Sequence, residues 1–219
     1  VKDGSVAPIR IGTDDLRDLL GRPLPIEEVA DRVDQPGIAT GLAVTGAGGD
    51  VLFVETALLP GDGEPLLTGQ LGDVMKESAS LARSLVARVA PEFGAEYPAA
   101  KRLHVHFPAG AVPKDGPSAG ITMTTALVSL LTNRRVRPEV AMTGEVTLQG
   151  RVLPIGGVKQ KVLAAHRAGI KEVILPIANE DDLEDVPEDI RNHLTIHLAS
   201  HISEVLELAL EEAEASLAA

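Results

Sequence analysis

One serine stands where a stiff polar turn meets an apolar run. The octet P-K-D-G-P-S-A-G, residues 113–120, carries Ser118 and leads directly into I-T-M-T-T-A-L-V-S-L-L. Gly116 and Pro117 restrict how the chain approaches the serine, and the two small residues after it leave space for another chain. Free N–H groups at the start of the helix that follows can stabilise an oxyanion. This pattern favours a nucleophilic serine, and an ordinary helix N-cap is the open alternative.

A nucleophilic serine needs a base, and the chain offers histidines and lysines for that role. No histidine stands in a decisive local pattern: His104, His106, His166, His193, His197 and His201. A lysine serves as the base only when burial brings its pKa from about 10.4 toward 7–8. At about 100° per residue, Lys161 falls on one apolar helix stripe with Val158 and Ala165, whereas Lys159 lies on the side of His166. The pattern favours Lys161, and a solvated helix lysine is the alternative.

Composition restricts the classes of protein to which the chain can belong. It has 219 residues, of which 44% are hydrophobic and only 2% aromatic, so Leu, Val, Ile and Ala must form the core. The formal net charge of -12 argues against a nucleic-acid-binding surface. Without cysteine there are no disulfides and no Cys-ligated zinc sites. His104 and His106 share one strand face, but no third metal ligand accompanies them.

The location and the extent of the chain are also expectations from composition. No apolar run reaches the ~18 residues of a membrane span, and no basic-then-apolar signal segment opens the chain. We therefore expect a cytoplasmic protein without a membrane partner. Because the first residue is Val1, we expect the chain to be a fragment of something longer.

Strand and helix patterns alternate along the rest of the chain. Period-two and short apolar runs predict a hairpin within residues 41–58 and strands within 103–107, 140–153, 172–176 and 194–198. Helical spacing and end signals predict helices at residues 13–21, 73–90, 119–131, 158–168 and 202–215. The predicted fold class is α/β, in one compact domain. We expect a connecting segment at residues 1–38 and the domain proper at residues 39–219.

Several long segments resemble the proteolytic domain of Lon proteases. The similarity is carried by P-K-D-G-P-S-A-G-I-T-M and by M-T-G-E-V-T-L-Q-G-R-V-L-P-I-G-G-V-K-Q-K-V-L-A-A-H-R-A-G-I, and shorter matches extend it over residues 40–205. The resemblance implies a domain of the α+β type, with small mixed sheets packed by helices. It also implies a serine endopeptidase with a Ser–Lys dyad, in which Ser118 attacks the peptide carbonyl and Lys161 transfers its proton.

Four further residues match family positions near the active centre. Thr143, in M-T-G-E, is expected to hydrogen-bond Lys161 and orient it, although threonine is also common in ordinary strands. Asp115 either pairs with Lys161 in an inactive arrangement, which would raise the pKa of the lysine, or caps its own turn. Glu55 and His106 also match family positions near the active centre, but we assign neither of them a step in the reaction.

The family couples this domain to an ATPase that unfolds substrates and feeds them into a closed hexamer. The chain has no G-x-x-x-x-G-K-[ST] phosphate loop. We therefore expect no cofactor in this chain, and ATP with Mg²⁺ only for an ATPase part outside it. The expected partners are misfolded and selected regulatory proteins and further copies of the chain. A hexamer is expected for the whole protein, whereas the isolated chain can be monomeric.

Two other functions stay open at this point. A catalytically silent scaffold of the same fold is the first alternative. The second is phosphate binding at the turn before helix 119–131, where Lys114 would assist the helix N-terminus.

Overall fold

A seven-stranded mixed sheet forms the centre of the fold. The computed structural model describes residues 10–21, 33–61, 63–98, 100–109 and 111–212. The strands are β1 (Ile38–Thr45), β2 (Gly48–Pro60), β3 (Leu66–Thr68), β4 (Lys101–His106), β5 (Val140–Met142), β6 (Glu145–Val146), β7 (Val152–Leu153), β8 (Glu172–Pro176) and β9 (Thr195–Ala199). Seven of them follow the order β3-β4-β2-β1-β5-β8-β9, and β6 with β7 makes a separate hairpin. β1, β2 and β4 pair antiparallel, whereas the other neighbours in the large sheet pair parallel.

The described part of the chain contains six α-helices. They are α1 (Leu16–Leu20), α2 (Asp73–Val89), α3 (Gly120–Thr132), α4 (Val158–Arg167), α5 (Glu188–Arg191) and α6 (Ile202–Ala209). Short 3₁₀ turns precede α1 and follow α2 and β8. No helix among the described residues is long and apolar enough to cross a membrane.

Two glycines let helices approach opposite faces of the sheet. A Cβ on Gly41 would lie 3.0 Å from Thr122 Oγ1 of α3, and a Cβ on Gly49 would lie 1.9 Å from the Gln160 carbonyl oxygen of α4. Gly41 pairs with Leu52 of β2, and paired residues face the same side of the sheet. Because side chains alternate along a strand and Leu52 is an odd number of residues from Gly49, the two glycines face opposite sides. α3 and α4 therefore sandwich the sheet at β1 and β2.

The core is aliphatic, as the composition requires. α3 is buried on every side over its first ten residues, Gly120–Ser129, and its apolar side chains pack against both the sheet and α2. Leu85 of α2, Ile121 and Met123 of α3 and Phe107 after β4 are among the largest fully buried side chains. Because α3 is fixed on all sides, the turn that precedes it is attached to a rigid element.

The predicted α/β class is confirmed, and most predicted elements lie where they were expected. The last helix is the exception, because it was expected to reach residue 215 and α6 ends at Ala209. Leu210 is extended and pairs with Val136 instead, so tertiary pairing overrides the helical pattern there. Residues 213–215 lie outside the described residues, as do residues 1–9 and 22–32. The boundary between residues 38 and 39 stays a prediction.

Candidate active site

Ser118 lies in a turn that the β5–β6 connection holds in place. The Ser118 carbonyl oxygen accepts hydrogen bonds from Gly144 N at 2.9 Å and from Thr143 Oγ1 at 3.2 Å. Ile121 N donates in return to the Gly144 carbonyl oxygen at 3.1 Å. The backbone at Ser118 and in the first turn of α3 is thus paired with residues 143–144.

Ser118 does not cap α3. The N-cap position is Ala119, where no side chain caps the helix. The N-cap interpretation of the serine is therefore wrong, because α3 starts two residues after it and Gly120 N bonds to the Pro117 carbonyl oxygen. Within the described part of the chain the Ser118 hydroxyl has no hydrogen-bond partner, so it is available to another molecule.

Lys161 is buried on α4. Its side chain is on the helix side that packs into the core with Val158, Val162 and Ala165, and the residue is 3% exposed. Burial lowers the pKa of Lys161 from its ordinary value of 10.5 to about 8. Lys159, two residues earlier, is exposed. The apolar stripe in the sequence therefore selected the buried lysine correctly.

Thr143 connects the lysine to the serine turn. Lys161 Nζ donates to Thr143 Oγ1 at 3.0 Å, and Thr143 Oγ1 donates its own hydrogen to the Ser118 carbonyl oxygen. Thr143 itself is fully buried. Since β5 pairs with β8 and Thr143 N bonds to the Ile174 carbonyl oxygen, the threonine is held by the sheet.

Ser118 and Lys161 line one cavity of about 1250 Å³. Its walls include the end of β1, the turn at residues 113–119 and the 154–157 segment that leads into α4. Among the described residues, the backbone N–H groups of Ser118 and Ala119 have no acceptor. Two unpaired N–H groups beside a serine hydroxyl are the donors that an oxyanion requires.

Asp115 is bound to a helix rather than to Lys161. Its Oδ1 accepts hydrogen bonds from Met75 N and from Gly116 N, each at 2.9 Å. A Cβ on Gly72 would lie 2.2 Å from the Asp115 carboxyl carbon, so only glycine fits there. The carboxylate caps the start of α2 and leaves the amine of Lys161 without an anionic partner in the described residues.

The Lys114 ammonium group makes its hydrogen bonds within the protein. Its Nζ donates to the carbonyl oxygens of Gly69, Ala109 and Val112 at 3.2, 2.9 and 3.0 Å. Three acceptors occupy the three hydrogens of an ammonium group. The lysine therefore fastens the serine turn to the end of β3, which counts against a role in binding phosphate.

Glu55 and His106 are cross-strand neighbours on β2 and β4, and neither lines the cavity of Ser118. Thr68 Oγ1 lies 2.7 Å from His106 Nδ1 and 2.9 Å from His104 Nε2. In the part of the chain that the structure describes, no group of three or more His, Asp or Glu residues is arranged to hold a metal ion.

Comparison with known proteins shows which family the chain matches. The profile of the Lon protease (S16) C-terminal proteolytic domain matches residues 10–212. The Lon protease of Salinispora arenicola (strain CNS-205) is 58% identical over 210 residues, which are 95% of this chain and 27% of that protein. The Lon protease of Mycolicibacterium smegmatis is 56% identical over 215 residues, 97% of this chain and 28% of that protein. The chain thus spans about a quarter of the length of these relatives.

Proposed function

Because this chain belongs to the Lon protease family through its C-terminal proteolytic domain, we propose that it is a serine endopeptidase whose dyad is Ser118 and Lys161. One observation carries the proposal: a lysine with a pKa of about 8 shares a cavity with a serine hydroxyl that has no partner among the described residues. An ordinary lysine would be protonated at neutral pH and unable to accept a proton. Burial lowers that obstacle, because a pKa of about 8 leaves roughly a tenth of the lysine neutral at pH 7.

The hydrogen bonds of Thr143 leave the lone pair of Lys161 free. The single hydroxyl hydrogen of Thr143 goes to the Ser118 carbonyl oxygen, so the hydroxyl oxygen must accept from Lys161. A neutral amine that donates to Thr143 keeps its lone pair for another group. In this proposal that group is the Ser118 hydroxyl.

The proposed reaction follows from these positions. Ser118 Oγ attacks the peptide carbonyl carbon while Lys161 Nζ takes the hydroxyl proton, and a tetrahedral oxyanion forms. The unpaired N–H groups of Ser118 and Ala119 stabilise that oxyanion. The C–N bond then breaks as Lys161 returns the proton to the leaving amine. Water, activated by the same lysine, hydrolyses the acyl ester and restores Ser118.

The experiment compares three lysine and serine variants in peptide hydrolysis and in labelling by a fluorophosphonate. Ser118→Ala and Lys161→Met should each lower kcat/KM by about 10³-fold or more and abolish the label. Lys159→Met is the matched control, because this lysine lies on the same helix but is exposed. It should keep the rate of the wild type. Equal rates for the wild type and Lys161→Met would refute the dyad.

A catalytically silent scaffold is the second candidate. The observation in its favour is that Ser118 Oγ makes no hydrogen bond to Lys161 Nζ, although such contacts are often long before substrate binds. Sedimentation and peptide hydrolysis, measured over one range of protein concentration, separate the two candidates. Hydrolysis that appears as the chain associates supports the peptidase, and a fully assembled chain that neither hydrolyses nor labels supports the scaffold.

The activity of the whole protein is a further proposal, which rests on the family resemblance. We expect an ATPase part, with ATP and Mg²⁺, to unfold misfolded and selected regulatory proteins and to deliver them to a hexamer of this domain. The longest natural form of the protein should degrade a folded substrate only with ATP, while short peptides are hydrolysed without it. Degradation of the folded substrate in the absence of ATP would contradict this coupling.

A further inference from the structure

Asn179 makes a two-point contact with the backbone of Ile155. Ile155 N donates to Asn179 Oδ1 at 2.9 Å, and Asn179 Nδ2 donates to the Ile155 carbonyl oxygen at 2.9 Å. Asn179 lies in the 3₁₀ turn after β8 and is 3% exposed. Its carboxamide therefore bonds to the 154–157 segment as a neighbouring strand would.

The orientation of this carboxamide is fixed by its partners. The Ile155 N–H requires an acceptor and the Ile155 carbonyl requires a donor, so the oxygen and nitrogen cannot be exchanged. The second amide hydrogen goes to Asp182 Oδ2 at 2.5 Å. Every polar atom of the side chain is engaged, which makes the contact rigid.

The segment that Asn179 contacts makes few other hydrogen bonds. Among the described residues, the only hydrogen bonds of residues 154–156 are the two between Ile155 and Asn179. Pro154 has no N–H group, and the N–H groups of Gly156 and Gly157 have no acceptor in the described residues. The Ile155 side chain packs against the core, but the backbone of the segment depends on a single side chain for its hydrogen bonds.

The same segment belongs to the active-site cavity. Residues 154–157 line it together with Ser118 and Lys161. Two unpaired N–H groups in a cavity wall are available to the carbonyl groups of an extended peptide. The segment also ends in Gly157, the N-cap residue of α4, and Lys161 N bonds to the Gly157 carbonyl oxygen at 3.0 Å.

We propose that Asn179, oriented by Asp182, is a positioning residue that fixes the 154–157 segment for binding of the substrate backbone. This inference rests on the proposed peptidase function. Asn179 acts through Ile155 and touches no reacting atom. Its effect should appear in the binding of extended peptides more than in the reactivity of Ser118.

The main variant is Asn179→Asp. The new carboxylate still accepts from Ile155 N but donates nothing to the Ile155 carbonyl oxygen, and it faces the carboxylate of Asp182. We expect KM for an extended peptide to rise about tenfold, because small displacements of positioning groups weaken catalysis strongly. Labelling of Ser118 by a small fluorophosphonate, which needs no extended site, should change less than about threefold.

Two further variants keep the inference testable if repulsion unfolds the first. The double variant Asn179→Asp/Asp182→Asn replaces the repulsive pair with one donor and one acceptor, and should recover part of the lost KM. Asn192→Asp makes the same chemical change at an exposed position and should leave KM unchanged.

A second readout does not depend on activity. Hydrogen exchange at Ile155 N–H should accelerate about tenfold or more in Asn179→Ala, because its only acceptor is lost. Unchanged exchange would overturn the contact. Unchanged KM, or a parallel fall of hydrolysis and labelling in proportion to the folded fraction, would overturn the positioning role. If the wild type itself neither labels nor hydrolyses, the proposed peptidase fails, while exchange at Ile155 still tests the contact.

Discussion

The buried amine of Lys161 sets the expected pH dependence of the reaction. The base is the neutral form, and burial places the pKa at about 8. We therefore expect kcat/KM to rise about tenfold per pH unit below that value and to level off above it. A pH profile with a small peptide measures this directly. If kcat/KM instead rose with one ionisation near pH 6.5, the ordinary pKa of histidine, a histidine would be the base.

A substitution of Thr143 separates the orientation of the Lys161 amine from the pKa of that amine. Thr143→Val keeps the shape but removes the acceptor for Lys161 and the donor to the Ser118 carbonyl oxygen. Since an acceptor favours the charged amine, its loss should lower the pKa of Lys161 further. We expect kcat to fall about 10–100-fold while the alkaline plateau begins at lower pH. Thr143→Ser should retain most of the rate, and a Thr143→Val enzyme with the wild-type rate would contradict the role.

For single residues, the sequence indicated which side chain is buried but not which partners a side chain bonds to. Periodicity favoured Lys161 over Lys159 as the buried lysine but left a solvated lysine open, and the resemblance selected Lys161 as the base. Thr143 could be assigned only through resemblance, because a threonine on a strand has many uses. Asp115 shows the limit most clearly: the sequence left open whether its carboxylate pairs with Lys161 or caps its own turn, and the structure has Gly116 N and Met75 N as its partners.

The contact between the β1–β2 hairpin and α4 determines where Lys161 lies. Gly49 faces the Gln160 backbone, and its carbonyl oxygen accepts from Arg167 Nη2 at 2.6 Å. In Gly49→Ala the new Cβ would meet backbone, which no rotamer change relieves. We expect a loss of about 1–3 kcal/mol in the free energy of unfolding and a lower kcat/KM, because α4 must shift.

Gly46→Ala is the control for that variant, since the added Cβ would meet nothing within 4 Å. Its free energy of unfolding should stay within about 0.5 kcal/mol of the wild type. Urea denaturation gives both values, and peptide hydrolysis reports on the site. Equal stability of the two variants would mean that the hairpin and α4 are not in close contact.

Elements were predictable in proportion to their length. α2 and α3, at 17 and 13 residues, show a helical pattern that short-range rules detect. β6 and β7 have two residues each, and only the turn at Gly150, with φ of 84°, marks the hairpin. The early end of α6 depends on a partner 74 positions away, Val136 for Leu210, and no local pattern encodes it.

For the whole molecule, alternation of strands and helices predicted the class but not the order of the sheet. The order β3-β4-β2-β1-β5-β8-β9 places β1 beside β5, nearly a hundred residues later in the chain. That crossover places Thr143 between the turn of Ser118 and α4, and Ser118 and Lys161 line one cavity. Neither periodicity nor the resemblance predicted this order, because pairing between distant strands depends on packing of the complete core.

Burial of Lys161 also affects the stability of the whole molecule, and the sign follows from its pKa. The pKa is about 8 in the folded chain and 10.5 when the group is unperturbed. Between these values the unfolded chain binds a proton that the folded chain does not, so stability rises with pH through that window. Below pH 8 both forms are protonated and the full cost of the buried charge applies, about 3 kcal/mol as an upper bound.

Lys161→Met should therefore make the inactive protein more stable. The methionine fills the same space without a charge, and we expect a gain of about 1–3 kcal/mol in the free energy of unfolding at pH 7. The gain should shrink toward zero by pH 10.5, since the wild type no longer carries the buried charge there. Urea denaturation at several pH values measures both, with the exposed Lys159→Met as a control that should show no such trend. A gain that is the same at pH 7 and pH 10 would reflect packing alone, and it would leave the proposed base without the low pKa that its chemistry requires.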